Sequence, residues 1–385
     1  MRAVYLDHNA TTPLDPRVRE AMLPWLGERW GNPASAHRAG QAAREAVETA
    51  RDQVARLLGA DPAEMVFTAS GTEANNSVLR AALGAGPGAH LVISAFEHPS
   101  IGVAAEAWAG AAGARVTRVP PGPDGVVRVE AFAAALRPET RWAALMLAQN
   151  EVGTLQPVAE LARLCRERGI ALLCDAVQAI GKTAVSVQEI GCDYLSLGGH
   201  KFHGPLGAGA LWVRGGAPFE PLLVGGGQER RRRAGTTNVP AVVGLGRAAE
   251  LAADELPARA RRLAALRDRF EAGLARALPG AIVHGAGAPR LPHTSHFALP
   301  GTVNAELMIR LDLAGYEVST GAACSSGVVE PGPAMVAMGV AREEAISSLR
   351  VSFGLGNTEE EVDGFLAALA REVAALHALA PGASR

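Results

Sequence analysis

Tyr194-Leu195-Ser196-Leu197-Gly198-Gly199-His200-Lys201-Phe202 reads as a buried strand that ends in a tight turn and delivers a lysine. The apolar run 194–197 has the length of a strand, and the two glycines let the backbone turn sharply before Lys201. Earlier in the chain Ala171-Leu172-Leu173-Cys174 is another buried run, and Asp175 closes it. A carboxylate at one strand end and a lysine at a nearby one suit pyridoxal 5'-phosphate. The lysine forms a Schiff base with the aldehyde, and the aspartate keeps the pyridine nitrogen protonated so that the ring withdraws electrons. A surface lysine beside a capping aspartate fits the same two residues.

The same alternation recurs upstream. Met65-Val66-Phe67-Thr68 and the segments 91–94, 115–119 and 142–147 read as strands, with helical sequence between them. Helices are expected to begin near Pro16 and near His37. In the second, Ala43, Val47, Ala50, Val54, Leu57 and Leu58 recur at helical spacing and form one buried face. Such alternation predicts an α/β fold with a mostly parallel sheet covered by helices on both faces. After Val213 the pattern changes. A Gly/Arg-rich stretch from Gly225 to Thr237 leads into helical sequence over roughly 241–278. Beyond it, strands at 294–299 and 346–353 flank a helix at 305–314, and a last helix starts at Glu359. The expected organisation is a large cofactor-binding domain over 16–255 and a smaller α+β domain made of 1–15 plus 256–385.

The 385 residues are 48% hydrophobic and 20% charged, which is ordinary for a globular protein. A net charge of -2 gives no electrostatic case for nucleic acid or an anionic membrane surface. No stretch is apolar enough to span a bilayer, and no apolar signal core follows the N-terminus. Four cysteines in so long a chain do not make a disulfide scaffold. The expected location is the cytoplasm.

A phosphate needs an anion site. Ser70-Gly71-Thr72-Glu73 lies between a strand and the helix after it, where unpaired amides and the Thr72 hydroxyl can hold one. An ordinary capping box from Ser70 to Glu73 fits the same letters. Glu97-His98-Pro99-Ser100 ends the next strand, and His98 could stack on a planar ring or be a polar loop residue. Asn150 and Gln178 are amides at further strand ends. In open parallel sheets ligands bind at the carboxyl ends of the strands, so these residues converge on one crevice.

Several longer motifs carry a resemblance over nearly the whole chain. They are Tyr5-Leu6-Asp7-His8-Asn9-Ala10-Thr11-Thr12-Pro13, Gly31-Asn32-Pro33-Ala34-Ser35, Asn150-Glu151-Val152-Gly153, Asp175-Ala176-Val177-Gln178 and Gly199-His200-Lys201-Phe202-His203-Gly204-Pro205. With Glu97-His98, they resemble those of cysteine desulfurases of the NifS/IscS type, in the class V branch of fold-type-I pyridoxal-phosphate enzymes. The resemblance implies that Lys201 is the Schiff-base lysine, that Asp175 pairs the pyridinium nitrogen and that His98 stacks on the ring. It gives Gln178 the ring hydroxyl, with Asn150 close by, and places Gly71, Thr72 and His200 around the phosphate. Thr236 would reach the phosphate of a neighbouring subunit's cofactor, which implies a homodimer. Asn32 and Arg350 would hold the substrate carboxylate, a task that suits a guanidinium fork.

The chain departs from the family at two places. Gly198 stands where a phosphate-binding serine is usual, and Leu206 replaces a lysine often found in the Gly-Pro-Lys-Gly segment. The chain stops soon after its last helix, so the tail that some relatives use to meet a scaffold protein is expected to be short.

Cys165, Cys174 and Cys192 read as small buried hydrophobes, and their spacing resembles no zinc site. Cys324 differs. It sits in Ser319-Thr320-Gly321-Ala322-Ala323-Cys324-Ser325-Ser326-Gly327, small residues that predict an exposed, mobile loop. The Gly-x-Ala-Cys segment resembles the loop on which long-loop desulfurases take up sulfur. The resemblance therefore implies that the chain converts L-cysteine to L-alanine and leaves a persulfide on Cys324. An acceptor such as an iron–sulfur scaffold would receive the sulfur. No resident metal is implied, although Cys324 could ligate a cluster transiently. A selenocysteine lyase or aminotransferase would share Lys201 and Asp175, and a metal-binding module around His200 and His203 is a reading from another class.

Overall fold

The computed structural model describes residues 3–84, 86, 88–320 and 330–379. In chain order its strands are β1 (Val4–Tyr5), β2 (Met65–Thr68), β3 (His90–Ser94), β4 (Arg115–Val119), β5 (Thr140–Met146), β6 (Ala171–Asp175), β7 (Tyr194–Gly198), β8 (Gly209–Val213), β9 (Ile282–Val283), β10 (Thr294–Ala298), β11 (Tyr316–Glu317) and β12 (Ser348–Ser352). β2 to β8 form a seven-stranded sheet in the order β2-β8-β7-β6-β5-β3-β4. Its pairs from β4 through β7 are parallel, as expected. β8, a strand that the sequence reading does not single out, runs antiparallel to both β7 and β2. β2 therefore points the same way as the parallel strands.

Alternation along each strand sends neighbours to opposite faces. Leu172 joins Val92, Leu145 and Leu195 in one core, whereas Leu173 joins Leu91, Ile93 and Tyr194 in the other. The helix Arg38–Leu58 covers the first face with Ala43, Val47, Ala50, Val54 and Leu58, all buried. The helix Gly71–Leu83 covers the second with Val78, Leu79 and Leu83. Helices on both faces make this the α/β architecture expected.

A separate core holds Leu6, Phe270, Phe297, Leu349, Val351, Phe353 and Phe365. Around it lie a three-stranded antiparallel sheet in the order β12-β10-β9 and the parallel pair β1–β11. The helix Val239–Ala277, 39 residues long, reaches both regions. Leu245, Ala248, Ala249 and Ala252 belong to the first core, and Leu263, Leu266, Phe270 and Leu274 to the separate one. The expected boundary between 255 and 256 falls inside this helix, next to Pro257. Among the described residues no helix is long and apolar enough to cross a membrane.

Candidate active site

The carboxyl ends of β2, β3, β5, β6 and β7 share one edge of the large sheet. The segments that leave them line a cavity of about 250 Å3. Its walls are Gly71 and Thr72 after β2, His98 and Ser100 after β3, Asn150 after β5, Asp175 and Gln178 from β6, and His200 and Lys201 after β7.

Asp175 is buried at the end of β6. Its Oδ2 accepts from Asn75 Nδ2 at 2.9 Å, and its Oδ1 accepts from the Val177 amide at 3.0 Å. Asn75 also donates to Ser100 Oγ at 2.9 Å, and Ser100 Oγ lies 2.8 Å from His98 Nδ1. One hydrogen-bonded line thus fixes the carboxylate and the imidazole together. His98 is open to the crevice, yet the walls desolvate it and lower its pKa; Lys201 pushes the same way and Asp175 opposes it.

Lys201 Nζ donates to the carbonyls of Asn9 at 2.6 Å and Ala10 at 2.7 Å. Burial, aided by the Arg350 charge, lowers its pKa to about 8. A lysine so placed is partly a free amine near neutral pH, which makes it a nucleophile and a base.

The helix Gly71–Leu83 begins at the cavity wall. Ser70 Oγ accepts the Glu73 amide at 3.1 Å, and Glu73 Oε2 accepts the Ala69 amide at 2.9 Å. The cap is therefore made, and it leaves the amides of Gly71 and Thr72 without an intrahelical acceptor. Cap and anion site coexist in the same four residues. Gly71 has no room for a side chain, because a Cβ there would lie 2.5 Å from Val177 Cγ2. His200 closes this end. Its Nδ1 lies 3.1 Å from Thr11 Oγ1, and burial lowers its pKa to about 4, so the ring is neutral at pH 7.

These residues fit pyridoxal 5'-phosphate: a carboxylate for the ring nitrogen, an amine for the aldehyde and free amides at a helix start for the phosphate. Gln178 lines the cavity too, but its Nε2 donates to the Asn9 carbonyl at 2.9 Å and its Oε1 accepts from Lys182 Nζ at 3.0 Å. One N–H of Gln178 remains for a ligand. Arg350, buried in β12, is not itself a wall of the cavity but touches the wall residue Asn150 from the small sheet. Its Nη1 donates to the Asn150 carbonyl at 2.9 Å and its Nη2 to Asp7 Oδ1 at 2.6 Å.

Other expected site residues lie elsewhere. Asn32 is exposed, its Oδ1 accepts the Ala34 amide at 2.9 Å, and it is not a wall of the cavity. Its turn lies before the helix Arg38–Leu58. Thr236 lines a different cleft of about 220 Å3, beside Thr68, Ala69 and Arg233. Cys324 lies outside the described residues. Cys165, Cys174 and Cys192 are free and buried, as expected. Burial raises the Cys165 pKa to about 12, and Cys174 is raised through its contact with Cys192 and by burial. Among the described residues no group of three or more His, Cys, Asp or Glu is placed to hold a metal ion, so the His200/His203 metal reading finds no ligand set.

Several functional side chains escape the sequence reading. Asn75 is a buried polar residue on a helix face otherwise made of Ala74, Val78 and Leu79, and that mismatch is a usable signal. Glu97, beside His98 in the sequence, is another. Its Oε1 accepts from Ser94 Oγ at 2.6 Å and from the Met146 amide at 2.9 Å, tying β3 to β5. Burial raises its pKa to about 8, so it carries a proton at pH 7. Lys182 is buried, with its pKa held well below the ordinary value by burial and by the charges of Lys201 and Arg350. No local pattern marks it.

Comparison with known proteins agrees with this geometry. The family model for class-V aminotransferases matches residues 4–365. A curated cysteine desulfurase of Cereibacter sphaeroides is 44% identical over 383 residues, covering 99% of this chain and 98% of its own length. A solved structure described as a NifS-like protein superposes with a TM-score of 0.90 at 36% identity, covering 97% of this chain and 99% of its own. Another, described as SspA in complex with cysteine, gives a TM-score of 0.80 at 30% identity over 91% of this chain and 98% of its own. The chain belongs to the class-V aminotransferase family of pyridoxal-phosphate enzymes. Within it, the chain is similar to cysteine desulfurases over its full length.

Proposed function

We propose that the crevice removes sulfur from L-cysteine, releases L-alanine and leaves the sulfur as a persulfide on Cys324. The observation that carries this reading is a half-buried lysine of lowered pKa in the same cavity as a fixed carboxylate and a helix start. Full-length likeness to cysteine desulfurases supports desulfuration over transamination. Bound pyridoxal phosphate would supply an electron sink that acidifies the α-carbon of an amino acid and thereby weakens the bond between the adjacent β-carbon and sulfur. Lys201 holds the cofactor, then as a free amine takes the substrate's α-proton at Nζ. Asp175, kept in place by Asn75 and the Val177 amide, holds the ring-nitrogen proton. His98 presents a neutral imidazole to the ring face. Arg350 binds the substrate carboxylate. Cys324, as thiolate, attacks the substrate sulfur, so the carbon–sulfur bond breaks and a sulfur–sulfur bond forms.

We also place Thr236 at the cofactor phosphate of a second subunit, in a homodimer, since its cleft is separate from its own chain's crevice. The persulfide would pass to an acceptor protein such as an iron–sulfur scaffold. Three free, unpaired cysteines favour a reducing compartment, the cytoplasm. Mass spectrometry after a brief reaction tests the central step. One added sulfur on the Cys324 peptide is expected, and sulfur on Cys165, Cys174 or Cys192 instead would overturn the assignment.

A further inference from the structure

A row of polar side chains crosses the small sheet and ends at Arg350. In β10 and β12, His296 and Arg350 are direct cross-strand partners. His284, just past β9, donates its amide to the His296 carbonyl at 2.9 Å, which continues the pairing by one position. Direct antiparallel partners project to the same face with Cβ atoms about 5 Å apart. Their hydrogen bonds fix a direction. Glu344 Oε1 lies 2.8 Å from His284 Nε2, and His284 Nδ1 lies 2.9 Å from His296 Nδ1. A carboxylate only accepts, so an imidazole with one ring proton at His284 donates it from Nε2, and its Nδ1 accepts. His296 must then donate from Nδ1, which leaves its Nε2 as a bare acceptor. Burial keeps His296 far below its ordinary pKa, so a second proton does not intervene.

That Nε2 is buried and has no partner, and the same is true of Nε of Arg350, a donor. Two buried orphans of opposite sense on neighbouring strands are complementary, since each alone costs desolvation free energy. We propose that His296, held in one tautomer by His284 and Glu344, accepts the Nε–H of Arg350, directly or through one water, and so positions the guanidinium for the substrate carboxylate. Arg350 has five N–H groups. Asn150 and Asp7 take one each, His296 takes a third, and two remain for a bidentate carboxylate. His296 is thus a positioning residue, and this role rests on the reading of Arg350 given above.

The first test is 15N NMR of the histidine-labelled apoprotein. His296 should be protonated at Nδ1, and a proton at Nε2 would overturn the proposal. The second measures L-alanine affinity of the holoenzyme through the change in cofactor absorption. His296→Phe should weaken it about tenfold or more, the loss expected for a hydrogen bond to a charged group. His296→Gln restores an acceptor and should recover most of the loss. The KM for L-cysteine should follow while kcat changes little. Equal affinity in wild type and His296→Phe, or equal loss in the Phe and Gln variants, would refute the positioning role. Arg350→Lys separates the two readings: if it leaves L-alanine affinity intact, the carboxylate assignment of Arg350 fails, whatever His296 does. Should His296→Phe fail to fold, the tautomer and the Gln variant still decide.

Discussion

The two sheets serve the crevice in different ways. The seven-stranded sheet offers strand ends: Asp175 closes β6, and His98, Asn150, His200 and Lys201 lie a few residues past the strands before them, where the backbone turns toward the cavity. The small sheet offers the flank of a strand, and Arg350 touches the wall residue Asn150 from the middle of β12. A strand end is tuned by a short local motif. A strand flank is tuned by whatever lies on the adjoining strands, here His296 and His284. The two sides meet at Arg350, which donates to the Asn150 carbonyl and whose charge helps to lower the Lys201 pKa.

The largest effect should come from the strand-end lysine. Lys201→Ala should abolish covalent retention of the cofactor and lower turnover by about a thousandfold or more. A variant that kept the wild-type absorption spectrum and normal alanine release would break the division of labour described above. The same residue sets a pH dependence. With its pKa lowered to about 8, the unprotonated nucleophile accumulates through that value. Cofactor uptake by the apoprotein, followed by absorbance, should therefore speed up as pH rises through about 8 and then level off.

Cys324→Ala should spare the large-sheet half of the reaction. The variant should bind cofactor and change spectrum on addition of L-cysteine, yet release almost no alanine. Full activity would remove Cys324 from the mechanism and point to a lyase or aminotransferase on the same scaffold.

Glu97 gives an intermediate effect, on stability. Its folded pKa of about 8 lies above the ordinary 4.5, so the native state holds the extra proton between those values. Stability contributed by this group is complete below about 4.5 and is lost as pH rises through about 8. Glu97→Gln copies the protonated form and keeps an acceptor for Ser94 and Met146. Denaturant midpoints should match wild type near pH 5 and exceed it at pH 9. A variant less stable than wild type at pH 9 would show that the buried group is not held neutral.

The smallest effect concerns Gly198. A Cβ there would meet its nearest neighbours, including the Gly71 amide, His200 and Val177, at 3.7 Å, which is ordinary contact. Gly198→Ser should therefore fit and add a donor near the helix start, slowing cofactor loss on dialysis by a few fold. Unchanged loss would mean that the phosphate is already satisfied without it, and faster loss that the added side chain clashes in the turn.

What could be read from the sequence follows the same divide. β2, β3, β5, β6 and β7 are short runs, mostly apolar, that close on a motif, so strand, turn and functional residue are contiguous and Asp175, Lys201, His98 and Thr72 are identifiable together. β8 is less conspicuous because it follows a glycine-rich turn and runs against its neighbours. Arg350 is recognisable only by resemblance, for nothing beside it in the chain reveals Asp7, Asn150 or His296. These partners are joined through sheet pairing, which depends on register and not on proximity in sequence. Asn75 is hidden for a related reason: its partners, Ser100 and Asp175, lie on other elements.

The helix Val239–Ala277 carries a consequence for how the chain comes apart. Thirty-nine residues at 1.5 Å each make a rod of roughly 58 Å, and its two halves are anchored in different hydrophobic clusters. Helical segments form and melt cooperatively, so loss of one anchorage exposes the rod and weakens its hold on the other. Heating or denaturant should therefore give a single transition instead of two. The slowest-exchanging amides should lie along this helix on both sides of Pro257, from Leu245 to Leu274, across the junction where a domain boundary is expected.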